Sequence, residues 1–582
     1  MKRGLIIALT CLAGCGGSHS PADFEKLTSD FVFSSLALSP VAATATGYHR
    51  HEGKALDPLL DDVSAAGLEA QRAHYRKFRE RLKGFDRAAL DPQSQADYGL
   101  IEDQIALGDL ELDEIQGWKH NPTVYVELIG NALFTPHTVE YAPAAERQAH
   151  IRARLEQLPK FLDDARKNLA DSCDTWTKVA LGENDGNIAL VDKTLRGAVP
   201  AAERAAYDRA AEPALAALRG FNEFLRQLHS TGPDGWRLGK ERYAKKFRLA
   251  MGTTRTPEQV LAEAEESLRT IRGEMFKLAI PLHHQLYPTH RDPVDVNLIV
   301  GETLKKIAER HATREGYFEA AQKTLDEARA FVKEKSFVKL PGSDNLKIIE
   351  TPEFMRGVYG VGGFSPGPSL QPGLQAFYWL TPIPKDWPRD RAESKLREYN
   401  DYGLRMLTIH EAIPGHYLQY EYSNTVQPES RRTLRGVFGS GVYVEGWAMF
   451  AMEMMCDQGY LDKSPELRLT LYKHLLRSLA NAIMDIRYHT LGMKDEEAMD
   501  LMLGKTFQEK EEAVAKVQRA HLGACQLPTY WVGYQEWKRL RADFKGSLNE
   551  FNEKTLRAGA LPMGELRKLV LAGSATAGTP SK

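Results

Sequence analysis

Apolar residues recur along this chain at helical spacing. Ile151, Leu155, Leu158, Leu162 and Leu169 fall on one helical face, within a helix that Pro159 is expected to kink. A longer stripe runs through Leu471, Leu475, Leu479, Ile483 and Ile486. Ahead of it, Ser464-Pro465-Glu466 supplies an N-cap hydroxyl, a proline suited to the first helical position and an acid near the positive end of the dipole. Charged amphipathic stretches of the same period cover about 58–115, 200–231, 256–280, 315–335 and 507–523. Residues 336–395 break this pattern: they are rich in Pro and Gly and hold two short runs, Leu346 to Glu350 and Ala376 to Leu380, that read as strands. The pattern predicts a mainly α protein with a helical N-terminal half over 21–335 and a second helical half over 336–582. The small sheet is expected at the cleft between them.

The first residues follow another logic. Lys2 and Arg3 precede an apolar run from Leu5 to Ala13, too short to cross a bilayer, which reads as an export signal over 1–14. It closes on Leu12-Ala13-Gly14-Cys15, which resembles a bacterial lipobox, so Cys15 is expected as a lipidated mature N-terminus. Residues 15–20, with Gly16-Gly17-Ser18, form a tether. The protein is then exported and lipid-anchored to the cell envelope, at the outer membrane facing the periplasm or at the cell surface, and meets the membrane through that anchor only. A plain secretory signal cut elsewhere is the alternative.

Composition narrows the function. Among 582 residues, 43% are apolar and 26% charged, an ordinary globular mixture. Lys plus Arg number 76 against 78 Asp plus Glu, so there is no field to draw nucleic acid, which is excluded as a partner. With the signal removed, Cys15, Cys173, Cys456 and Cys525 remain, which is no disulfide framework, and without a C-x-x-C pair a cysteine metal site is unexpected.

The chemistry gathers after residue 400, in His410-Glu411-Ala412-Ile413-Pro414-Gly415-His416. Two histidines four apart on a helix reach one zinc, but six apart on a straight helix they differ by ~120° and ~9 Å, beyond bonds of ~2.0–2.1 Å. The helix must change course. Pro414 cannot donate to the His410 carbonyl, and Gly415 is expected to permit backbone angles closed to other residues. The competing reading is a helix that ends at Pro-Gly with two unrelated histidines. A third ligand candidate lies 35 residues past His410, in an apolar stretch from Val442 to Met455 that holds both Glu445 and Glu453. A carboxylate there needs a partner, a metal or a structural salt bridge. Two histidines, one glutamate and an open fourth position form a catalytic zinc pattern, with Glu411 beside the first histidine.

His-Glu-Ala-x-Pro-Gly-His with a downstream Glu445-Gly446-Trp447, behind a lipobox, resembles the bacterial domain-of-unknown-function 885 family, whose members look like helical zinc peptidases. The resemblance extends over most of the mature chain, including Thr44, Gly47, His49, Glu350, Thr351, Pro352, Phe354, Asp485 to His489, Pro528, Tyr530 and Gly533. It implies a large two-lobed helical metallopeptidase with a deep cleft, similar in plan to thimet oligopeptidase, Taq-type carboxypeptidase and angiotensin-converting enzyme. It also implies His410, His416 and Glu445 as zinc ligands and Glu411 as general base. Tyr530 and His489 are implied as oxyanion stabilisers, with a core role as the alternative for each. Arg487 is a candidate to anchor a peptide carboxylate, against a plain ion-paired arginine. The function expected is hydrolysis of short peptides, of carboxypeptidase or peptidyl-dipeptidase type.

Two other readings compete. Gly363-Phe364-Ser365-Pro366-Gly367 matches a serine-hydrolase elbow letter for letter, but Pro366 lacks the N–H that half of the oxyanion hole requires, so the segment is expected as a loop near the cleft. The second is a non-enzymatic, peptide-binding surface lipoprotein with a structural or vestigial metal site; structural zinc usually takes four protein ligands and has no adjacent base.

Overall fold

The computed structural model describes residues 20–572 except His290, Ser343 and residues 357–359. The export signal, the lipobox with Cys15 and the Gly16-Gly17-Ser18 tether lie outside the described residues. The chain is mainly helical, as its periodicity predicts. The first stripe lies in the helix Ala144–Asn168, where Ile151, Leu155, Leu158 and Leu162 are wholly buried. That helix continues through Pro159 rather than ending there. The second stripe lies in Pro465–Leu491, whose Ser464 hydroxyl accepts from the Leu467 N–H at 3.2 Å. The other amphipathic stretches carry Ala65–Leu82, Pro92–Asp109, Arg204–Gln227, Pro257–Leu286, Tyr317–Lys335 and Lys510–Leu522.

Both expected strands form, Leu346–Glu350 and Ala376–Leu380, and they pair in parallel with Ile348 opposite Tyr378. A third strand, Gly362–Ser365, lies antiparallel on the other side of Ala376–Leu380, with Phe364 also opposite Tyr378. This corrects the loop expected over the Gly-Phe-Ser segment: glycine has little β-preference, and pairing with a buried neighbour overrides it.

The central strand is buried at every residue, and its two faces serve two different interiors. Ala376, Tyr378 and Leu380 join the core that holds Leu475, Leu479 and Ile483. Phe377 and Trp379 point the other way, among Leu155, Leu158, Leu215 and Phe221. Strand alternation thus places one five-residue run between both cores. Packing also crosses residue 336: Val260, Ala264 and Met275 of the Pro257–Leu286 helix share the core of the Pro465–Leu491 helix.

Candidate metal centre

The helix Asp401–Glu411 starts on Asn400, whose side chain accepts from the Tyr402 and Gly403 N–H groups at 3.0 and 3.2 Å. It delivers His410 and Glu411, both nearly buried, at its last turn. Ala412 N–H still reaches Thr408 O at 2.9 Å; beyond it the chain turns, and His416 opens a new helix, His416–Ser423. The break brings the two imidazoles together, with ring centroids 4.7 Å apart and planes at 81°. Gly415 is required for space and not for a left-handed angle, since its φ is −78°. A Cβ there would lie 2.0 Å from His410 O and 2.2 Å from Ile409 O. Trp447 fixes this turn from the neighbouring helix, its Nε1–H donating to Pro414 O at 2.8 Å and Gly415 O at 3.3 Å.

Glu445 comes from the helix Gly441–Asp457, whose N-terminus is capped by Ser440. Its Oε2 lies 3.3 Å from His410 Nε2 and 3.4 Å from His416 Nε2. An ion bound tetrahedrally with bonds of ~2.0–2.1 Å separates its ligand atoms by about 3.3 Å, so these spacings fit zinc. Oε2 is buried without a hydrogen-bond partner, which fits a metal ligand and not a finished polar network. Burial raises the Glu445 carboxyl, but the two imidazoles outweigh it and hold the group well below the usual carboxylate range. Burial likewise disfavours charge on His416, and Glu445 overrides it, raising the imidazole above its ordinary value. Glu453, the other acid of this apolar helix, takes the alternative fate: Lys538 Nζ donates to it at 3.0 Å.

Gly446, between Glu445 and Trp447, lets the Pro528–Asp543 helix come close. A Cβ on Gly446 would lie 2.6 Å from Gly533 Cα, and one on Gly533 would lie 2.2 Å from Val442 O. That approach brings Tyr530 over His410, with ring centroids 6.0 Å apart and planes at 21°. The Tyr530 oxygen has Gln526 Nε2 at 3.4 Å and Arg519 Nη2 at 3.5 Å, both donors, and Gln526 Nε2 also reaches Glu445 Oε1 at 3.4 Å. His410, Glu411, His416, Glu445 and Tyr530 all line one cavity of about 550 Å³, together with Gly363, Phe364 and Pro366 of the edge strand and the residue just past it.

Two candidates lie elsewhere. His489 is buried between Trp236 and Tyr243, its Nδ1 accepting from the Leu238 N–H at 3.2 Å, and burial pushes it down to about 3. It takes the core role and does not line the cavity. Its neighbour Asp485 accepts from Tyr243 OH at 2.6 Å and from the Cys525 N–H at 3.0 Å, which holds the turn before Gln526. Arg487 is ion-paired with Glu265 at 2.5 Å and does not line the cavity, the placement of the plain ion-paired arginine. The cavity instead carries Arg519, Gln526 and Glu127, which sequence reasoning missed: each sits in an amphipathic helix or a turn among many similar polar residues.

The model of the bacterial proteins of unknown function DUF885 matches residues 40–570. The chain is similar to a candidate lipoprotein of unknown function from Shewanella oneidensis, 29% identical with a TM-score of 0.75, over 95% of this chain and 100% of that one. It shares its fold with a candidate lipoprotein from Colwellia psychrerythraea, 16% identical with a TM-score of 0.77, over 95% and 99%. No curated protein matches.

Proposed function

Because this chain belongs to the bacterial family DUF885, whose name assigns no chemistry, we propose an activity from the site itself: a zinc-dependent peptidase acting on short peptides. The observation that carries the reading is the convergence of His410 Nε2, His416 Nε2 and a buried, partnerless Glu445 Oε2, with Glu411 in the same cavity. Zinc, when bound by these three residues, supplies Lewis acidity to the scissile carbonyl and acidifies water.

The protein's own groups do the rest. Glu411 takes the proton of the attacking water and returns it to the leaving amine. The Tyr530 oxygen faces donors on two sides, so its own hydrogen is left to donate to the oxygen that becomes negative, worth roughly 3 kcal/mol in the transition state. Phe364, Leu527 and Val444 supply apolar wall that limits water around these charges. The lipobox, together with the description of the Shewanella relative, supports anchoring at the cell envelope through Cys15.

The test is digestion of a peptide library by the purified mature chain, read by mass spectrometry with and without chelator. Cleavage that chelator abolishes and zinc restores is expected. Tightly held zinc with no cleavage of any peptide would favour the binding-protein reading and overturn this one.

A further inference from the structure

The helix His416–Ser423 does more than deliver a metal ligand. His416, Gln419, Tyr420 and Ser423 recur at steps of three and four, so they share one face of it, and all four line the cavity. At 1.5 Å per residue this face runs about 10 Å from His416 to Ser423, with Gln419 about 4.5 Å along it. Two side chains hold the face against the sheet edge. The Tyr420 hydroxyl donates to Gly367 O at 2.7 Å, and the Phe364 ring has its centroid 6.4 Å from that of His416 and 6.0 Å from that of Tyr420.

On that face Gln419 carries an oxygen with nothing to accept from. The residue is 3% exposed, and its Nε2 donates to Ser423 Oγ at 2.8 Å. Only this orientation of the amide serves both local bonds, because the Ser423 hydroxyl gives its own hydrogen to Gln419 O at 3.1 Å and can then only accept. The side chain is thus pinned from within its own helix, and Oε1 is turned away from Ser423. Oε1 meets no donor among the described residues, yet it is not sealed inside the protein, so it opens on the cavity that Gln419 lines. An amide oxygen held in one direction in so buried a place is costly until a ligand brings it a donor.

We propose that Gln419 Oε1 accepts the backbone N–H of the substrate residue adjoining the one whose carbonyl meets the metal, which makes the cavity selective for peptides with a secondary amide at that position. The inference rests on the peptidase reading and names its substrate class. An acceptor calls for a donor, and the donor that every peptide backbone supplies is its N–H. Residues of an extended chain recur every ~3.3 Å, so a group about 4.5 Å along the helix from His416 falls beside the neighbour of the reacting residue. A substrate without an N–H there leaves Oε1 buried and unpaired. Sites built to hydrogen-bond a substrate group reject the analogue that lacks it far more strongly than apolar walls reject a change of size. Proline, N-methylated residues and ester links at that one position are the excluded class.

The test is calorimetric titration of the full mature chain, zinc-loaded and carrying Glu411→Gln to block turnover. The ligands are tetraalanine and its three forms in which lactate replaces the second, third or fourth alanine, so that an ester oxygen stands in for one N–H at a time. One of the three is expected to bind about tenfold or more weakly than tetraalanine, and the other two close to it. Adding Gln419→Met, which keeps the length of the side chain without an acceptor oxygen, should weaken tetraalanine to that level and erase the penalty. Gln419→Glu still accepts and should keep the penalty, and zinc content should be the same in all of these chains. No binding of tetraalanine at millimolar concentration, equal binding of all four ligands, a penalty that survives Gln419→Met, or loss of zinc from Gln419→Met would overturn the inference. Turnover by the unsubstituted, zinc-loaded chain is read separately. The expected binding pattern without cleavage of any peptide would sink the peptidase reading alone, and cleavage of peptides by a chain that shows no penalty dependent on Gln419 would sink this inference alone.

Discussion

At the scale of single residues, the four polar groups of the motif are separable by what each loses. His410→Ala and His416→Ala each remove a donor atom, so both variants should lose the zinc that the unsubstituted chain retains, read by metal analysis after dialysis. Glu411→Gln keeps shape but cannot accept a proton; zinc should stay while kcat falls by ~10²- to 10⁴-fold or more. Glu445→Gln should instead weaken zinc, since an amide is a poorer ligand than a carboxylate. If Glu411→Gln and Glu445→Gln lost metal equally, the division into base and ligand would fail. The sequence made these residues legible because their order in the chain is itself the constraint: His-Glu and a helix-breaking Pro-Gly are local. It left Glu445 and Glu453 open, since both face the same apolar stretch and only the position of Lys538 on another helix separates them. Arg519, Gln526 and Glu127 were not legible for the same reason: what distinguishes them is the cavity they share, and no local pattern carries that.

At the scale of elements, the metal centre depends on a turn that a second helix holds in place. Trp447→Phe keeps a ring in a fully buried site but removes the N–H that serves Pro414 O and Gly415 O. Leaving buried carbonyls unpaired costs about 1–3 kcal/mol, so the melting temperature should fall modestly while zinc affinity, read by chelator competition, falls with it. Gly415→Ala should do more damage to zinc affinity, because its methyl would collide with the carbonyls of His410 and Ile409 and displace the ligand itself. Unchanged zinc affinity in both variants would show that the turn does not set the ligand geometry. Here too the sequence was informative to a definite depth. Helices with an apolar stripe and a capped start, such as Pro465–Leu491, were legible because burial follows their period. The strand Gly362–Ser365 was not, because Gly-Gly carries no side-chain signal and its pairing is supplied by the buried strand beside it.

At the scale of the whole molecule, one process acts at the N-terminus and one through the interior. Cys15→Ser should move the protein from the membrane fraction to a soluble or uncleaved form; a processed variant still recovered with membranes would count against lipidation. The interior prediction follows from the central strand, whose alternate residues enter separate cores. Each large apolar side chain so buried stabilises by roughly 1.5–3 kcal/mol, so loosening one face of the strand must be felt at the other. Phe377→Ala tests this, because Phe377 packs only into the core of the Ala144–Asn168 and Arg204–Gln227 helices, while Ala376 and Tyr378 on either side enter the core that surrounds the metal centre. Loss of a buried phenyl ring costs about 3–5 kcal/mol. Trp236, Trp447, Trp531 and Trp537 all lie in the metal-centre core, so tryptophan fluorescence reports mainly on that side, whereas far-UV circular dichroism reports on helices of both. If the strand joins the cores into one cooperative unit, Phe377→Ala lowers the denaturation midpoint equally by both probes. A fluorescence midpoint that stays fixed while part of the dichroism is lost early would show two independently folding interiors, and the sheet would then be a contact between them and not their common element.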